Sequence, residues 1–147
     1  MSGLPEGWCI AQRGEIAQVQ WGDTSLTKKS YIEEGYTAFS ATGPDGKLPE
    51  FQFDQSGIVL SAIGARCGRC FKADGKWGSI KNTITITDLS IERDFLFSFL
   101  NSPDVWPKKG GAQPFIALGA ARNVELSLPP LPEQRRIVRK LDTLTAR

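Results

Sequence analysis

The sequence predicts an α+β fold: one compact body of short mixed strands and few helices, followed by a projecting C-terminal helix that would begin a coiled-coil arm. Three observations predict it. Thr83-Ile-Thr-Ile-Thr87 alternates β-branched residues with period two, the signature of a strand. Gly57-Ile-Val-Leu-Ser-Ala-Ile-Gly64 is a short apolar run bounded by glycines, as expected of a buried strand. Within the body only residues 91–100 hold a clear helical apolar face, and a second helical seam follows the proline run after Leu128.

With 147 residues, 40% of them hydrophobic and 23% charged, the chain has the size and composition of one globular domain and a tail. It contains no apolar run near the roughly 20 residues that cross a bilayer. The opening Met-Ser-Gly-Leu-Pro-Glu-Gly-Trp has neither the basic nor the apolar region of a secretory signal, so cytoplasm is the expected location.

In chain order, residues 4–22 carry apolar positions of mixed period and are expected to supply a strand and a turn. The polar stretch Thr24–Glu34, with Lys28-Lys29, reads as a short helix or a loop. Tyr36–Ser40 alternates and predicts a strand, stopped by the turn signal Thr42-Gly-Pro-Asp-Gly. Phe51-Gln-Phe alternates again. Phe71–Ile80 predicts a hairpin around Asp74-Gly75, a pair that tolerates the positive φ of a tight turn. Asp88 or Ser90 would cap the next helix, whose Phe95, Leu96, Phe99 and Leu100 make a core ridge. Asn101-Ser-Pro ends it. Trp106–Pro114 predicts a loop, Phe115–Asn123 one short helix, and Val124–Leu128 a last strand.

At Leu128-Pro-Pro-Leu-Pro the prolines hold the backbone extended, and Pro132 then occupies a position that suits the first turn of a helix. Ile137, Val138, Leu141 and Leu144 form an apolar seam flanked by Arg135, Arg136, Arg139 and Lys140. No Gly, Asn or Pro stops the helix after Leu144, so it is expected either to continue in a longer protein or to act as a short arm. A helix of about 15 residues is marginal alone in water, so the seam must dock, on its own domain or on a partner.

Net charge is only +2, but Arg66, Arg69, Lys72, Lys76 and Lys81 face a single Asp74 between residues 61 and 81. A solvated hairpin or a phosphate-contacting surface would each account for such a run. Cys67-Gly-Arg-Cys70 has the spacing of a metal knuckle or a redox pair. A structural zinc site wants four ligands, however, and Cys9 is the one other cysteine in a chain without histidine, so both read as strand or turn residues. Neither a cofactor loop with an Asn/Asp-Pro-Pro-aromatic motif nor a metal-holding carboxylate cluster is present, and Pro44-Asp-Gly-Lys47 reads as a turn. No catalytic residue, metal ligand or cofactor is therefore expected.

Leu128-Pro-Pro-Leu-Pro-Glu-Gln-Arg-Arg-Ile-Val138 followed by Leu141-Asp closely resembles the junction between a target recognition domain and the helix after it in specificity subunits of type I restriction-modification systems. Leu4-Pro-Glu-Gly-Trp, the Gly57–Gly68 segment, residues 91–100 and Gly110-Gly-Ala-Gln-Pro resemble the same family in the same order, though less specifically. The resemblance implies a recognition domain over residues 1–127, then a junction and the start of a spacer helix over residues 128–147. In such subunits two recognition domains, held apart by two long helices, each read one half of a split double-stranded DNA target. The helices dock methyltransferase subunits, which carry S-adenosylmethionine and modify adenine, and through them the restriction subunit. The implied role of this chain is to choose the DNA sequence without changing it, either within a longer subunit or as a half-length subunit that forms a homodimer.

DNA reading needs cations for phosphates and Arg, Asn or Gln for base edges. Arg66, Arg69, Lys72, Lys76, Lys81 and Asn82 in one region, and Lys108, Lys109 and Gln113 in another, are the candidate DNA-binding residues. Two other classes remain open at this level: the recognition domain of a fused restriction-methylation enzyme, and a protein-interaction module that does not bind DNA. Replacing Ile137 and Leu141 by Asp is predicted to abolish pairing with a partner helix or methyltransferase subunit, assayed by co-purification, while the body melts unchanged. Loss of the whole fold would place the seam on its own domain.

Overall fold

The computed structural model describes residues 9–12, 16–64, 67–101, 106, 108–110, 114–122, 125–128 and 136. Three sheets emerge among these residues. Strands β2 (Gln18–Trp21), β9 (Thr83–Thr87), β6 (Gly57–Ser61) and β7 (Cys70–Ala73) lie side by side in that order, all antiparallel. A second four-stranded sheet orders β4 (Gly43–Leu48), β3 (Tyr36–Ser40), β8 (Lys76–Ser79) and β5 (Phe53–Asp54), with β3 and β8 parallel. The third is a two-stranded pair of β1 (Cys9–Gln12) with β10 (Glu125–Leu128), aligned Cys9 to Leu128 and Gln12 to Glu125. Helix α1 spans Arg93–Leu100 and the short α2 spans Leu118–Arg122. Among the described residues no helix is long and apolar enough to cross a membrane.

Period-two alternation explains why the first sheet is the middle layer. Ile58, Leu60, Ile84 and Ile86 point to one side and pack with Phe95, Leu96 and Leu100 of α1. On the opposite face, Val59 and Ala73 meet Phe39 and Trp77 of the second sheet, with Phe53 and Phe71 around them. Both faces are therefore covered, and every residue of β6 and β9 is buried. The threonines of β9 thus lie inside, where hydroxyls need partners. Thr83 Oγ1 donates to Ile80 O at 2.7 Å and Thr85 Oγ1 to Gln20 O at 3.3 Å.

Trp77 fixes how the two larger sheets meet. Its indole is fully buried, donates to Gln55 O at 2.8 Å, and packs edge-on to Phe39 and tilted against Phe53. A Cβ on Gly57 would lie 2.8 Å from its ring, so the indole rests directly on the β6 backbone. Only glycine permits that approach.

Most predicted elements are present, and three local expectations change. The Asp74-Gly75 turn forms, with Gly75 at φ 66°, but the flanking strands do not pair: β7 joins the first sheet and β8 the second. The hairpin is thus a crossover between layers, because Trp77 must enter the inter-sheet space while β7 stays paired with β6. The Thr42-Gly-Pro-Asp-Gly turn is also shorter than expected, since β4 already begins at Gly43 and contains Pro44. This strand is an edge, and its register shifts opposite Ala38 and Phe39, the setting in which a strand tolerates proline. Neither Asp88 nor Ser90 caps α1: the Asp88 carboxylate accepts from Gln55 Nε2, and Ser90 Oγ donates to Ile16 O. Glu92 precedes the helix without a side-chain cap, and the core ridge holds, with Phe99 half-buried at its margin.

One side chain ties the crossover to α1. Arg93 Nη1 donates to Ala73 O at 2.8 Å and pairs with Asp74 at 3.1 Å, while Nε donates to Asp94 at 2.6 Å. Burial would push the Asp94 carboxyl up, but the Arg93 and Lys72 cations beside it outweigh that and hold it below its ordinary value. Because the folded carboxyl is depressed, its contribution to stability is present above its unfolded pKa and is lost as pH falls through the lower folded one. Arg93→Met is predicted to lower unfolding free energy by about 1–3 kcal/mol at neutral pH, read from urea midpoints. The gap between variant and wild type should begin to narrow as pH falls below about 4, where the unfolded chain takes up the proton, and close further only as pH falls through the lower pKa of folded wild-type Asp94.

Candidate nucleic-acid interface

The strand registers bring several loops to one end of the two larger sheets. Trp21 pairs with Ile84, Ser61 with Thr83 and Leu60 with Cys70, so β2 and β6 end where β7 and β9 begin. Phe39 pairs with Ser79 and Ser40 with Gly43, which brings the β3–β4 turn and the end of β8 to the same place. This rim holds a cleft of about 560 Å³ lined by Thr27, Lys28, Lys29, Ser40, Ala41, Thr42, Ile80, Lys81 and Asn82. A second hollow of about 310 Å³ is lined by Trp21, Thr24, Ile63, Lys81 and Asn82. Lys81 and Asn82 line both.

That shared turn is held on three sides. Lys81 N donates to Leu26 O, Ala62 N donates to Asn82 O, and Ile80 N donates to Phe39 O, at 3.2, 3.1 and 2.9 Å. Asn82 has φ 71°, the left-handed region that asparagine visits more readily than other residues with a side chain. The turn carries the chain from the second sheet back to the first, and its backbone bonds leave the Lys81 side chain exposed at the mouth of the cleft.

A second loop is stitched to the same rim. Ile63 bridges Phe115, and Lys109 and Phe115 exchange both backbone hydrogen bonds at 2.9 Å. Lys108, Lys109 and Gly110 are all exposed there. Burial pushes the Cys67 thiol up, with the Lys108 charge opposing, so Lys108 lies within electrostatic reach of the Cys67 turn. Cys67 and Cys70 are buried, and their sulfurs donate to Ala62 O and Leu100 O, as fits turn and strand residues. Among the described residues no three His, Cys, Asp or Glu side chains group as metal ligands.

The sequence-predicted cations thus separate. Lys81, Asn82, Lys108 and Lys109 share the rim, and exposed Arg69 lies beside them, its guanidinium 5.8 Å from the Phe71 ring. Lys72 is drawn to α1, where it pairs with Asp94 at 3.3 Å and lies 5.0 Å from the Phe97 ring. Lys76, at the far end of β8, lies over Phe51 at the opposite rim. Arg66, Gln113, and the seam residues Ile137, Val138, Leu141 and Leu144 lie outside the described residues; of that helix only Arg136 is described, helical and exposed.

Lys28 and Lys29 belong to the cleft although they were not among the predicted site residues. A 3-10 turn over Lys28–Ser30 presents them, closed by a reciprocal cap in which Thr27 Oγ1 accepts from Lys29 N and Ser30 Oγ accepts from Thr27 N. Thr-Lys-Lys-Ser is the signal that could have found them. Lys29 and Lys81 make no ion pair among the described residues, whereas Lys28 pairs with Asp45 at 3.1 Å.

A family model described as the type I restriction modification DNA specificity domain matches residues 5–147. The chain is 27% identical over 147 residues to the type I restriction enzyme EcoDI specificity subunit of Escherichia coli, covering 97% of this chain and 32% of that protein. It is 27% identical over 124 residues to the EcoprrI specificity subunit of the same organism, covering 80% and 30%. Among solved structures it is similar to the HsdS subunit from Thermoanaerobacter tengcongensis, with TM-score 0.75 and 25% identity over 99% of this chain and 39% of that one. The type I S subunit from M. genitalium shares the fold at TM-score 0.74 and 18% identity, over 97% and 40%. The chain spans about a third of the length of these curated relatives.

The left-handed turn residue makes a local test. Asn82→Gly is predicted to leave thermal stability within a few tenths of a kcal/mol of wild type, whereas Asn82→Val should cost about 1–2 kcal/mol, because a β-branched residue is strained at that φ.

Proposed function

Because the chain belongs to the type I restriction modification DNA specificity domain family, we propose that its cationic rim reads double-stranded DNA, as one half of a two-part reader. The single observation that carries the assignment to this rim is the convergence of Lys29, Lys81, Lys109 and Asn82 from segments far apart in sequence. Charged groups that come together only in the folded state, around a trough and on anchored backbone, suit a fixed polyanion better than random solvation does. Lys29, Lys81, Lys108, Lys109 and Arg69 would hold phosphates and set the register. Asn82, on its rigid turn, would present an amide to an adenine edge. Arg66 and Gln113, candidates from the sequence, would serve as a further phosphate contact and a further base contact.

In this reading residues 1–127 choose the sequence without catalysis or a cofactor of their own. Residues 128–147 begin the helix through which methyltransferase subunits, and by way of them the restriction subunit, are engaged. A homodimer through Ile137, Val138, Leu141 and Leu144 would supply the second half-site where no second recognition domain is attached. The family resemblance, the apolar seam and the absence of a recognisable catalytic motif in the sequence support these assignments.

Each phosphate contact releases condensed counterions, so log affinity against log salt falls with a slope of about 0.9 per contact. Lys29→Met, Lys81→Met and Lys109→Met are each predicted to flatten that slope by about 0.9 for any duplex. Lys76→Met, at the opposite rim, should leave it unchanged. Asn82→Ala should keep the slope while reducing discrimination among duplexes selected from a randomised pool. A salt-independent affinity, or equal losses at Lys76 and Lys81, would overturn the assignment.

A further inference from the structure

One group behind the cleft wall is unlike the rest: a carboxylate in the middle of a cationic site. Asp45 Oδ1 accepts from Tyr31 Oη at 2.7 Å, and Oδ2 accepts from Ser40 Oγ and Thr42 Oγ1, both at 2.8 Å. Lys28 Nζ stands 3.1 Å from the same Oδ2 and donates to Thr42 Oγ1 at 3.3 Å. Lys28, Ser40 and Thr42 all line the cleft, while Asp45 does not. The arrangement is supported from behind as well, because Gly46 packs against the Tyr31 ring.

An ordinary surface ion pair is weak because two mobile side chains must be ordered to make it. Here one partner is ordered already. Three hydroxyls fix the carboxylate, and Thr42 gives the ammonium a second anchor, so the pair is preorganised. Burial would raise the Asp45 carboxyl, but the hydroxyl and ammonium donors outweigh it and bring it down to about 2, so the carboxylate keeps its charge at any pH at which DNA binding is measured. Burial and the neighbouring carboxylate push the Tyr31 phenol up, which keeps it a donor.

We propose that Asp45 is an internal counterion that withholds Lys28 from indiscriminate phosphate binding, and so acts as a positioning residue that sharpens the selectivity of the rim. This rests on the DNA-reading assignment above. A phosphate approaching Lys29 or Lys81 meets an ammonium without an ion-pair partner among the described residues, and its own condensed cations are released. At Lys28 the same phosphate must first displace a carboxylate. Lys28 therefore adds little to non-specific, salt-driven affinity, and lowering that background raises the ratio of specific to non-specific binding. The hydroxyls of Ser40 and Thr42, held by the same carboxylate, keep the wall at one shape whether or not a duplex is present.

The test is a set of salt titrations on the whole chain with a random-sequence duplex, alongside thermal melting. Asp45→Asn is expected to steepen the slope by about 0.9, because Lys28 becomes available to one more phosphate. Adding Lys28→Met to Asp45→Asn should return the slope to the wild-type value, whereas Lys28→Met alone should barely change it. Asp45→Ser, which keeps a small hydrogen-bonding side chain, serves as a second neutral variant if Asp45→Asn does not fold. A loosened cleft wall would lower the melting temperature without steepening the slope. An unchanged slope in both neutral variants, a steepening that survives loss of Lys28, or a clear flattening from Lys28→Met alone would each overturn the proposal. If wild type shows no salt-dependent binding, or Lys81→Met has no effect, the DNA-reading assignment fails as well; a slope that responds to Lys81 but not to Asp45 sinks only the counterion.

Discussion

The contact on which the rest of the structure depends is the indole of Trp77 lying against the bare backbone of Gly57. It sets how closely the two four-stranded sheets approach, and Phe39, Phe53, Val59 and Ala73 close around it. Burying an aromatic side chain of this size contributes on the order of 2–3 kcal/mol from apolar area alone. Its geometric effect matters more here. With the inter-sheet spacing set, the ends of β2, β3, β6 and β8 come level, and four connections of unrelated sequence form one rim. The Asp74 crossover at the far end, gripped by Arg93, and the Lys81 crossover at the near end send β8 from one layer to the other and back.

Much of this was legible in the sequence where the signal was local. The threonine alternation of β9, the glycine-bounded β6 and the α1 ridge are set by period and by residue type, and each stands where it was expected. Sheet membership was not legible. Asp74-Gly75 specifies a reversal of direction, but whether the flanking strands then pair is decided by partners far away, β6 for one and β3 with β5 for the other. The same long-range control turned Gly43-Pro-Asp-Gly46 from turn into edge strand, and it left Asp88 bonded to Gln55 rather than to the start of α1.

The candidate site divides along the same line. Lys81 and Asn82 could be singled out because cation and amide meet at a strand end. Lys76 was grouped with Lys81 because they lie only five positions apart in one basic run, yet an extended strand rises about 3.3 Å per residue, roughly 16 Å in all, which puts them at opposite rims. Lys28 and Lys29 were not assigned to the site for the converse reason: their cleft is assembled from segments near residues 28, 41 and 81, and no window of sequence contains all three. Asp45 looked like a turn residue, and its role emerges only once Tyr31, Ser40 and Thr42 are folded around it.

The pairing of β1 with β10 carries a consequence for how such a unit diversifies. Cys9 lies opposite Leu128 and Gln12 opposite Glu125, so the segments that lead into and out of the body are stapled together by main-chain hydrogen bonds. Those bonds do not depend on which side chains the distant loops carry. The unit is in effect a cassette on a two-stranded stem: the loops of its rim can drift through substitution or insertion while the stem that closes the body stays unaltered.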